Sequence, residues 1–451
     1  MATISDTGRY TVPFDRGTVS FNLPSGMTGS VVRSRPAVPL RDPVAAAIGA
    51  VAQPLGSSPL RALASGKTRV CIAVTDATRA CPDHLLVPPM LAELAAAGVP
   101  DEAITILVAV GMHRASTDAE KVEKLGPDVV RRYRIVDHDA SDEGNLVQVA
   151  VGPGGVPFRL NRLVAEADLV LATGVVEPHQ YAGYSGGGKT VVIGCGGDAT
   201  IAYTHGPAML DLPGTRLARL DGNAFQEAVR RVARAAHVAF VTNAVLDDDG
   251  RPVAIAAGAP EAVHDHLAAL AADLYTVPIP AQADIAVAGI GYPKDANLYQ
   301  ASRAASYLQF APVPVVRSGG VIILPAACPE GPGDGAGERR FAEAMRQPGG
   351  PDRVIERARA EGIRPGEQRA YVMARVLQDV DVIVAGAADP EVVRSLGFLT
   401  APTLDDALNQ AGEITGLNAS VLVVPHALLT LPLVQQQPTS SAVSPSETRL
   451  T

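Results

Sequence analysis

From Arg69 onward the chain alternates short apolar runs with helical stretches, and each apolar run ends in a polar or glycine-containing loop. The runs Val70–Val74, Ile104–Val110, Leu169–Thr173 and His237–Val241 read as strands in the first part of the chain. A second series follows at Ile285–Ile290, Val321–Leu324, Val382–Ala385 and Val421–Val424. Helices are predicted near 338–346, 351–361, 367–378 and 404–411, with Thr403 capping the last. Strands alternating with helices imply an α/β fold of mostly parallel sheets, whose ligands gather beyond the carboxyl ends of the strands.

A length of 451 residues suits two or three domains. The proline-containing stretch Thr276–Ala283 reads as a connection between the two series. Residues 1–275 are therefore expected to form one α/β domain and 276–433 a second that closes a cleft against it. Residues 434–451 are polar, rich in Ser, Thr, Pro and Gln, and expected to be disordered. Tyr10–Pro13 and Thr18–Leu23 predict a hairpin around Asp15, Arg16 and Gly17, and Asp42–Val51 a short Ala-rich helix. Pro88 and Pro89 are expected to start a helix that Gly98 ends, on the proline-in, glycine-out asymmetry. Asn223 with Gln226 resembles a capping box for a helix over 224–236. Glu261–Leu274 reads as a further helix.

Net charge is −9 with no Lys/Arg block, which disfavours nucleic acid as a partner. Cys71, Cys81, Cys195 and Cys328 form no CxxC pair, which suits a reducing compartment. No signal peptide is legible and no apolar run reaches membrane-spanning length, so the expected location is cytoplasmic, with no membrane partner.

The residues that carry chemistry fall in the loops after the predicted strands. Asp76 and Arg79 follow Val70–Val74; Gly111, Met112, His113 and Arg114 end the next run. After Leu169–Thr173 come thirteen residues, Glu177–Lys189, reading EPHQYAGYSGGGK. Successive glycines bare the backbone, so the N–H groups of Ser185, Gly186, Gly187 and Gly188 can close on an anion. Lys189 is placed to meet a phosphate or an electrophile. His179 and His205 can ligate a metal or move protons. In the second series, Gly291–Lys294 and Tyr299–Arg303 follow Ile285–Ile290. Four loops from two domains can thus converge on one cleft.

Each residue has a plainer reading as well. Asp76 can cap a turn, Arg79 can form a local ion pair, and Arg303 can lie on a solvated helix face. His205 can cap the helix predicted from Asp198 and interact with its dipole. The segment Gly183–Thr190 matches the literal P-loop string, which opens an alternative as an ATP- or GTP-using enzyme. A P-loop, however, leaves a strand at once and opens a long helix. Here nine residues separate Thr173 from Gly183, and Val191 onward reads as extended or turning.

Together these motifs resemble the nickel-pincer-nucleotide-dependent lactate racemase family of 2-hydroxyacid racemases and epimerases. The resemblance runs from the N-terminal hairpin to about residue 425. Its most specific parts are Asp76 with Arg79, Gly111–Arg114, Glu177–Lys189, His205, and Gly291 through Tyr299 and Gln300. It implies that Lys189 joins a pyridinium thioamide–thiocarboxylate mononucleotide covalently, that its pincer holds nickel, and that His205 is the metal's protein ligand. His113 and His179 would be the acid/base pair. Arg79 and Arg303 would grip the substrate carboxylate with Gln300 nearby, and Asp76 would support the array or bind the cofactor. Ser185, Gly186, Gly187 and Gly188 would pack against the nucleotide.

The implied reaction removes hydride from C2 of a small-molecule 2-hydroxyacid, leaving a 2-ketoacid, and returns it to the other face. Direct deprotonation would load charge beside a carboxylate; hydride removal avoids that, and one imidazole serves each enantiomer. Enzymes that make the cofactor are implied partners. A non-catalytic relative that only binds the nucleotide is a further alternative. Two departures stand out: Arg303 occupies the place of a carboxylate-binding lysine, and Ile193, Gly194 and Cys195 replace a Pro-Gly turn. Lys294 is an extra cation near the cleft.

Overall fold

The computed structural model describes residues 8–435. Val70–Thr75 is buried along its whole length, as a central strand covered on both faces must be. It lies mid-sheet, with Ile104–Ala109 and then Arg134–Asp137 on one side and Leu169–Val175, Val238–Leu246 and Pro252–Gly258 on the other. All pairings are parallel except the last, between Val238–Leu246 and Pro252–Gly258. The chain leaves Val70–Thr75 in one direction and later returns to build in the other. That reversal opens a crevice beyond Thr75 and Val175, the usual ligand position in such sheets.

A second six-stranded sheet runs Leu399–Ala401, Asp381–Ala385, Val316–Pro325, Ala283–Ala288, Ser420–Val424 and Thr28–Val31, all parallel. Two α/β bodies with mostly parallel sheets are therefore present, as the strand–helix rhythm implies.

Several local expectations change. Thr28–Val31 pairs with Ser420–Val424, so the chain's start crosses into the second sheet, which a linear division at 275/276 does not capture. Thr276–Ile279 is not a bare connection: it pairs in parallel with Leu431–Val434. Val434 therefore ends a strand, and the polar tail from 436 lies outside the described residues.

Pro88 and Pro89 do not start their helix. It begins at Asp83 and runs to Ala96, with both prolines inside. The start is set instead by the fully buried Asp83 carboxylate, which accepts from Thr75 Oγ1 at 2.8 Å and from Thr173, and pairs with Lys124 Nζ at 2.7 Å. Leaving that carboxylate unpaired would cost several kcal/mol (about 3–5), enough to fix where the helix enters. Asn223 does cap Ala224–Ala235, accepting from the Gln226 N–H at 3.0 Å.

Candidate functional site

The crevice beyond the first sheet holds a cavity of about 170 Å³. Its walls include Asp76, Arg79, His113, Glu177, His179, Ser185, Gly186, Lys189 and His205, with Gln368 from the second half of the chain. Three separate loops meet there because each follows a neighbouring strand of one sheet. The Gly111 N–H donates to the Gly194 carbonyl at 2.9 Å and ties two of these loops together.

Asp76 is buried, and its Oδ2 lies 2.5 Å from Nδ1 of His113, whose side chain is 43% exposed. The other carboxylate oxygen accepts from Thr78 Oγ1 at 2.7 Å and the Thr78 N–H at 3.2 Å. Burial pushes the Asp76 carboxyl up, but the hydrogen bonds and charge of His113 and the Thr78 hydroxyl outweigh it and hold it below the ordinary value. With Nδ1–H donated to that carboxylate, neutral His113 keeps its Nε2 lone pair free. The Arg79 guanidinium has no ion pair or hydrogen bond among the described residues.

His179 lies on a two-residue strand, Pro178–His179, paired with Gly183–Tyr184. Its Nδ1 accepts from the backbone N–H groups of Tyr181 and Ala182 at 3.3 and 3.2 Å, so the neutral ring carries its proton on Nε2. Burial, with Lys189, His205, Arg79 and Arg303 as neighbours, lowers its pKa well below the ordinary value.

His205 ends the helix Asp198–His205 and is 8% exposed. Its Nδ1 donates to the Ile201 carbonyl at 3.1 Å, which fixes the tautomer and leaves Nε2 as a free donor atom. The ring stands edge-on to Phe225 and Tyr181, at centroid distances of 5.2 and 5.6 Å. Burial first, then the charge of Lys189, lowers its pKa to about 3, so it is neutral at any ordinary pH.

Lys189 opens a single helical turn, Lys189–Val192. The chain then turns over residues 193–195, the turning rather than the extended form of the continuation expected there. One turn is also far shorter than the helix a P-loop requires. Burial, then the charge of Arg79, lowers the Lys189 ammonium to about pKa 7, with Glu177 pulling weakly the other way. The amine is thus about half neutral near pH 7, as a lysine that must act as a nucleophile needs to be.

The glycine loop divides between two faces. Ser185 and Gly186 border the cavity, whereas Gly187 and Gly188 line a smaller pocket behind it, against His264. In this arrangement Ser185 and Gly186, rather than all four residues, border the main cavity. Close packing explains the glycines: Gly186 has φ +88° and a Cβ there would meet Val176 Cγ2 at 2.5 Å. A Cβ on Gly188 would meet that of Ala233 at 2.5 Å. Ser185 Oγ is occupied structurally, donating to the Val175 carbonyl at 2.7 Å.

Gln300 and Arg303 stand on the helix Leu298–Gln309, outside the cavity's immediate wall. Arg303 donates to Gln300 Oε1 and to the Tyr307 hydroxyl, each at 3.3 Å. Tyr307 in turn donates to the Pro178 carbonyl at 3.2 Å, which seats this helix against the His179 hairpin. Arg303 is close enough for its charge to act on His179, Lys189 and Lys294. Gln368 escaped the sequence reading because the start of an amphipathic helix carries no motif.

Among the described residues no group of three or more His, Cys, Asp or Glu side chains can hold a metal, and no helix is long and apolar enough to cross a membrane. A metal at His205 would therefore need most of its donors from a non-protein ligand.

Residues 14–217 match the lactate racemase N-terminal domain and residues 279–430 the lactate racemase C-terminal domain. The lactate racemase of Lactiplantibacillus plantarum is 34% identical over 377 residues, 83% of this chain and 87% of that protein. The lactate racemase of Thermoanaerobacterium thermosaccharolyticum is 29% identical over 423 residues, 92% of this chain and 97% of that protein. The solved lactate racemase apoprotein from T. thermosaccharolyticum superposes with a TM-score of 0.85 at 28% identity, covering 94% of this chain and 100% of that one. A solved Thermotoga maritima protein, 20% identical with a TM-score of 0.63 over 84% of this chain and 98% of its own, shares the fold. Both halves of the chain, and the loops that meet at its cavity, thus belong to a member of the lactate racemase family.

Proposed function

We propose that this isomerase inverts the C2 configuration of a 2-hydroxyacid, using a nickel-pincer nucleotide joined to Lys189. The observation that carries the reading is the meeting of a half-neutral lysine and a neutral, singly occupied imidazole, Lys189 and His205, in one cavity. The residues fit the cofactor. His205 offers one nitrogen, which suits nickel completed by sulfur and carbon donors from an organic pincer. Lys189 offers an amine for covalent attachment. Arg79, Lys189, Arg303 and Lys294 give the site a positive excess over Glu177, which suits a phosphate and a carboxylate.

When bound, the cofactor supplies a reversible hydride acceptor. The chain's own residues do the rest. Arg79 and Arg303 orient the substrate carboxylate, with Gln300 bracing Arg303. His113 receives the hydroxyl proton at Nε2, with Asp76 holding the ring in the required tautomer. His179 faces the same cavity from the glycine-loop side and serves the opposite enantiomer. Closure of the second half over the cavity keeps water from the 2-ketoacid. The reading requires partner enzymes that make the nucleotide.

The test is inversion of single-enantiomer 2-hydroxyacids by protein matured with nickel and the cofactor-making enzymes, beside Lys189→Ala prepared identically. Inversion by the parent, a mass adduct on Lys189, and neither in the variant are expected. Normal nickel content and activity in Lys189→Ala would contradict the attachment.

A further inference from the structure

Gln368 begins the helix Gln368–Leu377, and among the described residues bordering the cavity it alone comes from the second half of the chain. Its Oε1 is buried and accepts no hydrogen bond. A buried acceptor without a partner is costly, and Gln368 borders the cavity, so a ligand that brings a donor to this wall would relieve that cost.

Its neighbours hold it in place. Glu367 is 2% exposed, paired with Arg357, and accepts from the Arg364 N–H at 2.9 Å. Arg369, 5% exposed, donates to Gln180 Oε1 at 3.3 Å and to Ser306 Oγ at 3.0 Å. Gln180 directly follows His179, so the turn bearing Gln368 is tied to the hairpin that carries one of the two imidazoles. A glutamine at an exposed helix start would turn to water; this one is partly buried between two anchored neighbours at the wall of the site.

We propose that Gln368 is a specificity-determining residue that accepts a hydrogen bond from a hydroxyl on the substrate carbon beyond C2. The preferred substrates are then 2,3-dihydroxy acids, glycerate and longer aldonates, rather than lactate. This deepens the C2-inversion reading and rests on it. In any 2-hydroxyacid the carboxylate is taken by cations, and the C2 hydroxyl and hydrogen are taken by the chemistry. The remaining substituent is what a specificity residue can read. A methyl group there leaves Oε1 unpaired, and a carboxylate sets acceptor against acceptor, whereas a hydroxyl supplies the missing donor. Sites built to bond a substrate hydroxyl reject analogues that lack it far more strongly than apolar pockets reject an added one.

The experiment compares kcat/KM for inversion of D-lactate, D-glycerate and a four-carbon aldonate by cofactor-loaded protein, with nickel content measured alongside. A preference of about 100-fold or more for the hydroxylated acids is expected. Gln368→Leu should keep its nickel and bring the ratio to within about tenfold, while Gln368→Glu, still an acceptor, keeps the preference. Equal inversion of lactate and the hydroxylated acids, or an unchanged ratio in Gln368→Leu, overturns the role of Gln368 and leaves C2 inversion standing. Inversion of none of the three by fully nickel-loaded protein overturns this inference, while the functional reading beneath it falls only if no 2-hydroxyacid is inverted. If the leucine variant does not fold, the parent's substrate ratio still decides.

Discussion

His113 and His179 face one cavity from unlike ground. His113 is on a half-open loop, with its Nδ1–H spent on a buried carboxylate and its Nε2 free. His179 is embedded among cations, with Nδ1 spent on two backbone N–H groups and its proton on Nε2. Of the two rings, only His113 leaves a nitrogen lone pair without a partner among the described residues. The difference teaches what the anions must do. Burial and the charges of Lys189, Arg79 and Arg303 hold His179 neutral; on the proposed reading, a substrate carboxylate at the arginines would offset part of that charge. On that reading, the two imidazoles become equivalent partners only in the loaded site.

Removing either ring is the severest way to break this comparison. His113→Ala and His179→Ala should each lose turnover by about 10²–10⁴ while keeping nickel, the usual worth of a positioned acid or base. Loss of nickel with normal activity per bound metal would assign these rings to the cofactor instead. Asp76→Asn sharpens the contrast, because it disturbs only one side. It should lower kcat by about 10–100-fold, as loss of an imidazole's outer partner typically does. It should also shift the pH profile, which a merely structural carboxamide would leave in place.

The smallest effect concerns the apoprotein. Above pH 6.5 neither folded nor unfolded His205 is protonated; below it the unfolded ring takes a proton that the folded one, with pKa about 3, refuses. Stability should therefore fall as pH drops from 6.5 towards 3, by about 1.7 kcal/mol between pH 6.5 and 5 for this one residue. Denaturant titrations of apoprotein at the two pH values should show a shallower fall for His205→Phe. An identical fall in both would mean that His205 is not the buried neutral group described.

Most of the sheet was legible in the sequence because strands such as Val70–Thr75 are apolar end to end, and Asp76, Arg79 and His113 follow such strands closely. What escaped depended on contacts distant in sequence. Nothing local marks Asp83 as a buried anchor, since its partners Thr173 and Lys124 come from other elements. Thr276–Ile279 looked like a linker because its pairing partner lies some 150 residues on. The glycine run was readable as a site, but not how it splits, because helices carrying Ala233 and His264 decide which glycines face the cavity. Tautomers were wholly outside reach: they follow from which atom each ring nitrogen meets.

Hydride movement at C2 between two imidazoles is tested most directly by isotope. A single-enantiomer 2-hydroxyacid carrying deuterium on C2 is incubated in ordinary water with nickel-loaded protein, and the inverted product is analysed by mass. The label should remain on C2 of the opposite enantiomer. An inverted product with solvent hydrogen at C2, formed as fast as inversion itself, would mean that a proton moves there and would contradict the account.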